Sequence, residues 1–116
     1  MVHDLSNENT KRRLDFHKKI SNFDAKLYKP GIENKFADDG QKGSFTEKRI
    51  EFSKYVQCVE RDIATILLNQ LEANSVEFEN GIDKLDQEIT SIDNTIGFLD
   101  LFGRVLNTIG RIVRLV

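Results

Sequence analysis

Phe16, Ile20, Phe23 and Leu27 stand four, three and four residues apart in a run that is otherwise polar, the spacing of one apolar stripe on a helix. Ser6, Asn7 and Asn9 offer side chains suited to capping its start. Pro30 and Gly31 close it, because proline biases the residue before it away from helical geometry. A first helix is therefore expected over residues 7–28. The segment KPGIENKFADDGQKGS, residues 29–44, holds three glycines and reads as a loop. Within it Ile32 and Phe36 lie one helical turn apart, so a short turn can dock on the core.

SFTE, Ser44 to Glu47, has the form of a reciprocal capping box, in which each side chain satisfies an amide left orphaned at a helix start. A second helix over residues 45–79 is predicted, with Phe52, Val56, Val59, Ile63 and Ile66 as its stripe and Leu67, Leu68 and Leu71 widening it. Asn80-Gly81 reads as its stop, since glycine enters the left-handed conformation without a Cβ clash, and Asp83 is placed to cap the next helix.

From there the pattern is the most regular in the chain. Ile82, Leu85, Ile89, Ile92, Ile96 and Leu99 alternate three and four apart, as in a coiled-coil seam. The same register continues through Gly103, Leu106, Gly110 and Val113, so a glycine replaces isoleucine at every seventh position and narrows the seam into a groove another backbone can enter. The third helix is predicted over residues 82–115.

The fold class that follows is all-α: an antiparallel helical hairpin or three-helix bundle with a long, coiled-coil-like C-terminal helix. The alternative is one continuous helix from 45 to 115 in an oligomeric coiled coil, a register that Leu71, Phe78 and Leu85, seven apart, support.

Residues 97–116, GFLDLFGRVLNTIGRIVRLV, pose the sharpest question. Asp100, Arg104, Asn107, Arg111 and Arg114 collect into an arc of about 80°, while apolar side chains including Phe102 and Ile109 spread over roughly 200°. Each apolar side chain left in water forfeits about 1.5–3 kcal/mol, so something must cover this face. Helices 1 and 2, copies of the chain or another helical protein, and a lipid surface are the three coverings. The seam and its flank, Ile82, Leu85, Ile89, Ile92, Ile96, Leu99, Phe102, Gly103, Leu106, Ile109, Gly110 and Val113, are the expected interaction residues.

Composition narrows the partners. The chain has 116 residues, the size of one domain, and 17 basic against 19 acidic side chains. A net charge of −2 gives no field to recruit nucleic acid, and the four charges in the last 20 residues make a poor membrane span. Residues 1–30 carry +3 and residues 31–81 carry −4, so the KRR of Lys11–Arg13 with Lys18 and Lys19 is expected to pair with the second helix through Glu47, Glu51, Glu60 or Asp62. MVHDLSNENTKRR lacks the apolar core of a secretion signal, and a lone Cys58 forms no internal disulfide; a cytoplasmic protein is expected.

Candidate chemistry is thin. His3 and His17 have no second histidine within a turn to share a metal, and His17 lies off the apolar stripe. Cys58, beside Val59, reads as a small buried hydrophobe. Asp38-Asp39 lacks the alternating ligands of a calcium loop, and the glycines follow no strand that would form a phosphate loop. No catalytic residue, metal or cofactor is assigned. The expected function is that of a non-catalytic structural or adaptor protein, self-associating or binding a helical partner through its C-terminal helix; the alternative is a peripheral membrane protein using residues 97–116 as an interfacial helix.

Overall fold

The computed structural model describes residues 2–115, with side chains from residue 8 onward. It is all-α, with four long helices: α1 (Val2–Leu27), α2 (Asp39–Arg61), α3 (Leu68–Glu88) and α4 (Thr95–Ile112). Short 3-10 turns occupy Ile32–Lys35 and Ile63–Thr65. The bundle measures 55 × 24 × 21 Å.

The first helix ends within a residue of its expected stop. Its start differs: α1 begins at Val2 rather than at residue 7, so Ser6, Asn7 and Asn9 all lie inside the helix and not at its cap. Lys29, Pro30, Gly31 and Ile32 then form a tight turn, with the Ile32 amide donating to the Lys29 carbonyl at 3.2 Å and Gly31 at φ 85°. Glycine takes that left-handed angle without a Cβ penalty. The short turn expected in residues 29–44 forms, and its Ile32 and Phe36 are buried. Arg49 locks it down: its guanidinium donates to the Leu27 carbonyl at 3.2 Å and to Glu33 at 2.8 Å, and lies 4.7 Å from the Tyr28 ring centroid.

Three further helix boundaries differ from expectation. The second helix starts at Asp39 rather than Phe45, because Asp38 is its cap, accepting the Gln41 amide at 2.7 Å. Ser44 lies within α2 and accepts instead from the Lys48 ammonium. The predicted helix 45–79 breaks at Asp62, whose carboxylate accepts the Ala64 amide at 3.0 Å and turns the chain. β-Branched Ile63, Thr65 and Ile66 follow, and they give up less side-chain freedom outside a helix. The third difference is the predicted helix 82–115, which breaks after Ile89 and restarts at Asn94, whose side chain accepts the Gly97 amide at 2.9 Å.

Asn80-Gly81 is therefore no turn, and neither is it part of one rod from 45 to 115. Gly81 lies inside α3 and is buried. A Cβ there would stand 2.7 Å from Val105 Cγ2, so its absence lets α3 and α4 pack closely.

Neighbouring helices alternate in direction along the chain. Ring and side-chain contacts run α1 antiparallel to α2, through Asp24–Ser53 and Tyr28–Ser53, and α3 antiparallel to α4, through Gly81 and Val105. In space α2 also lies beside α4 and α1 beside α3, both parallel pairs. The α2–α3 connection thus crosses the end of the bundle. There Ile66 and Val113 form an antiparallel bridge, with Leu67 donating to Ile112 at 2.7 Å and Arg114 to Thr65 at 2.8 Å. Cys58 is buried beneath it and its thiol donates to the Arg114 carbonyl at 3.2 Å.

All eight phenylalanines are in the core. Six of them, Phe23, Phe36, Phe45, Phe52, Phe98 and Phe102, share edge and stacked contacts toward the end that holds the Ile32–Lys35 turn. Phe16 and Phe78 form a separate pair, with centroids 5.1 Å apart.

Candidate functional site

The bundle uses most of the expected interaction face internally. Ile82, Leu85, Ile89, Leu99, Phe102, Leu106, Ile109 and Val113 are buried within the chain itself, and Ile92 is half-buried. Of the apolar side chains in that set only Ile96 stands exposed, at 64%. The polar stripe Asp100, Arg104, Asn107, Arg111 and Arg114 faces water as its arc implies. Side chains of α2 lie over the glycines without closing the groove: a Cβ on Gly103 would meet Lys48 Cε at 3.6 Å, and one on Gly110 the Tyr55 hydroxyl at 2.9 Å.

The seam between α1 and α2 is polar. Ser53 donates to Asp24 at 2.6 Å and exchanges a 2.8 Å hydrogen bond with the Tyr28 hydroxyl. Burial raises the Asp24 carboxyl above its ordinary range; the Ser53 hydrogen bond opposes that shift and the charge of Glu60 adds to it. Burial, with Glu51 nearby, likewise raises the Tyr55 phenol. His17 approaches both Ser21 Oγ, at 3.2 Å, and Glu60 Oε1, at 3.9 Å, through the same ring nitrogen, Nε2. A nucleophile relay needs hydroxyl and carboxylate on opposite ring nitrogens, so this trio is not arranged as one. Among the described residues no group of three or more His, Cys, Asp or Glu is placed to hold a metal ion.

The basic face of α1 pairs with α3 rather than with the acids expected on α2. Arg12, Lys19 and Lys26 are seven apart and meet Glu72, Asp83 (3.0 Å) and Asp86 (2.5 Å) in turn. Of the four acids anticipated, Glu60 alone meets α1, through His17. These pairs are solvent-exposed and each is worth about 0.2–1 kcal/mol, so they set the register of two parallel helices more than they stabilise them.

Between Arg12 and Lys19 the two helices part. A groove of about 490 Å³ opens there, with Phe16, Leu71 and Phe78 as its floor and Asp15, Ser75 and Glu79 along its walls. That volume lies in the range of small-ligand and peptide-side-chain sites, about 300–1,000 Å³. On the α3 side, Glu72, Val76, Glu79 and Asp83 recur at four, three and four residues and so form one stripe along its rim. Val76 is 71% exposed, the most exposed large apolar side chain among the described residues. The spacing of this stripe is plain in the chain, but the groove and the stripe's place beside it are not, because both depend on α3 lying parallel to α1.

No helix of the described chain is long and apolar enough to cross a membrane. Comparison with protein-family models, with curated proteins and with solved structures finds no match to this chain.

Proposed function

We infer that this protein is a non-catalytic helical module that works by contact with another protein, and that the α1/α3 groove is the contact surface. The observation that carries this reading is the parting of α1 and α3 over Phe16, Leu71 and Phe78; Val76, on one helical stripe with the lining residues Glu72 and Glu79, stands in water beside it. A second cleft of about 480 Å³ opens between α2 and α4 beside Gly103, but Leu106 is the one apolar side chain among the charged and polar ones that line it. A partner that engaged the C-terminal helix through its apolar face would have to displace Phe98, Phe102, Val105 and Ile109 from the core. At about 1.5–3 kcal/mol per side chain, four such residues approach a domain's whole stability. The same cost weighs against residues 97–116 acting as an interfacial membrane helix. The groove requires no such unpacking.

The test places a photoactivatable benzoylphenylalanine at Ser75, on the groove wall, or at exposed Thr90, at the far end of the bundle, in the intact chain in its own cells. Illumination is expected to give discrete protein adducts from position 75 and none from position 90. Equal labelling from both positions, or none from 75, refutes the groove as a contact surface.

A further inference from the structure

We propose that the occupant of the α1/α3 groove is a cationic amphipathic helix of a partner protein. The proposal rests on the reading of the groove as a contact surface and adds the chemistry of what it takes.

Charge is the first ground. α3 carries six carboxylates, at Glu72, Glu77, Glu79, Asp83, Asp86 and Glu88, against a single base, Lys84. α1 neutralises three of them through Arg12, Lys19 and Lys26. Asp15 and Glu79, on opposite walls of the groove, have no ion-pair partner among the described residues, and Glu77 adds a third such charge on α3. Arg12 and Lys19 also line the opening, but each is engaged by a carboxylate of α3, so the charge left over on its walls is that of Asp15 and Glu79. A ligand bearing Lys or Arg on both edges fits this field, and like charge there is repelled.

Shape and hydropathy supply the second ground. Val76 stands between Glu72 and Glu79 on one stripe of α3, so apolar and acidic contacts alternate along a single line. The Glu72–Asp83 stretch rises about 17 Å, roughly three helical turns. A helix of 11–14 residues, as an order of magnitude from that rise, lays about three apolar side chains on Val76 and the Phe16–Leu71 floor while its flanking cations reach Asp15 and Glu79.

The test uses two synthetic 14-residue helical peptides with identical leucine stripes, one flanked by lysines and one by glutamates, titrated into the intact chain by fluorescence anisotropy. The lysine peptide is expected to bind saturably and at least tenfold more tightly than the glutamate peptide, and to weaken at least tenfold between low and high salt. Val76→Asp and Glu79→Lys are each expected to weaken it at least fivefold while leaving the thermal melt in place, since both side chains are exposed. Equal binding of the two peptides, no binding of either, or indifference to both substitutions overturns the proposal. So does a concentration-dependent dimer of the chain that Val76→Asp dissolves while neither peptide binds, which assigns the groove to a second copy. Adducts at position 75 that the lysine peptide fails to displace leave the groove as a contact surface and remove the cationic helix as its occupant.

Discussion

Gly81→Ala tests the architecture at the point where sequence pattern and structure differ most. The added methyl carbon would lie 2.7 Å from Val105 Cγ2, about 1 Å inside ordinary carbon–carbon contact. Val105 is 3% exposed, so it cannot swing into solvent. Alanine gains about 1 kcal/mol of helix propensity over glycine. Overpacking a closed core costs about 1–3 kcal/mol. The single substitution is expected to destabilise by about 1 kcal/mol, from the middle of those two ranges. Val105→Ala alone removes two methyl groups worth about 0.8 kcal/mol each and leaves a small void, for a loss of about 2 kcal/mol. In the double variant the new methyl occupies the vacated space, recovering propensity and burial together, and the chain should come within about 0.5 kcal/mol of the original. The two changes are therefore non-additive by roughly 2.5–3.5 kcal/mol, measured by urea unfolding followed by circular dichroism at 25 °C. Additivity within about 0.5 kcal/mol, or stabilisation by Gly81→Ala alone, would refute this packing. A left-handed turn at Asn80-Gly81 predicts a different result: alanine would be strained whatever residue occupied position 105.

Three further outcomes probe caps, charge and the α2–α4 contact. Asn94→Ala should cost about 1 kcal/mol by removing the α4 cap, whereas Ser44→Ala, inside α2, should stay within about 0.5 kcal/mol; the reverse order in chemical denaturation contradicts the helix starts described above. Asp24 has a folded-state carboxyl raised above its ordinary value of 3.8, so the folded chain binds its proton more tightly and loses stability as pH rises through the window between those two values. Asp24→Asn keeps an oxygen to accept from Ser53 and should melt higher than the original chain at pH 7, with the difference gone below the ordinary aspartate range; a lower melting temperature at pH 7 sinks the assignment. Gly110→Ala should be neutral or stabilise by up to about 1 kcal/mol, because the atom it meets is the free end of half-buried Tyr55, and a clear loss in the melt would mean that this hydroxyl is fixed.

The all-α class, the first helix and the docking of Ile32 and Phe36 were legible because each rests on local spacing. The two breaks were not, since Ile63 and Ile66 keep helical spacing relative to Val59 although the chain leaves the helix at Asp62. Ile92 does the same between Ile89 and Ile96. A signal was present in both places: an Asp or Asn that can cap, beside a cluster of β-branched residues, in DIATI and ITSIDN. The unbroken apolar periodicity points the other way. At Gly81 the error ran the other way. A glycine next to asparagine resembles a helix stop unless the bulk it must admit is known, and Val105 lies 24 residues further on. The groove was the least legible feature. The heptad of Arg12, Lys19 and Lys26 is plain in the chain, but charge balance along the sequence points to the next helix for its partners, whereas the connection through Asp62–Leu67 carries α3 across the bundle to lie parallel with α1.

Those breaks also explain how so apolar a C-terminal segment is covered inside one chain. Two helices of about 34 residues would each run about 51 Å and meet each other along a single face, leaving most of a 200° apolar arc in water. Breaking them yields α2, α3 and α4 of 23, 21 and 18 residues, about 27–35 Å long and closely matched. Each can then have two lateral neighbours. α4 takes α3 on one side, where Gly81 admits Val105, and α2 on the other, where Gly103 and Gly110 admit Lys48 and Tyr55. Across the core the Phe23 ring of α1 reaches Phe102 at 5.9 Å. Three contacts from three directions span the apolar arc, and the direction left over is the one that Asp100, Arg104, Asn107 and Arg111 occupy. The width of the apolar face thus measured the number of neighbours the helix has, and the glycines marked the two closest of them. What the bundle has no fifth helix to cover is the opposite corner, between α1 and α3, where exposed ion pairs join the walls above the Phe16–Phe78 contact and a partner can enter without disturbing the core.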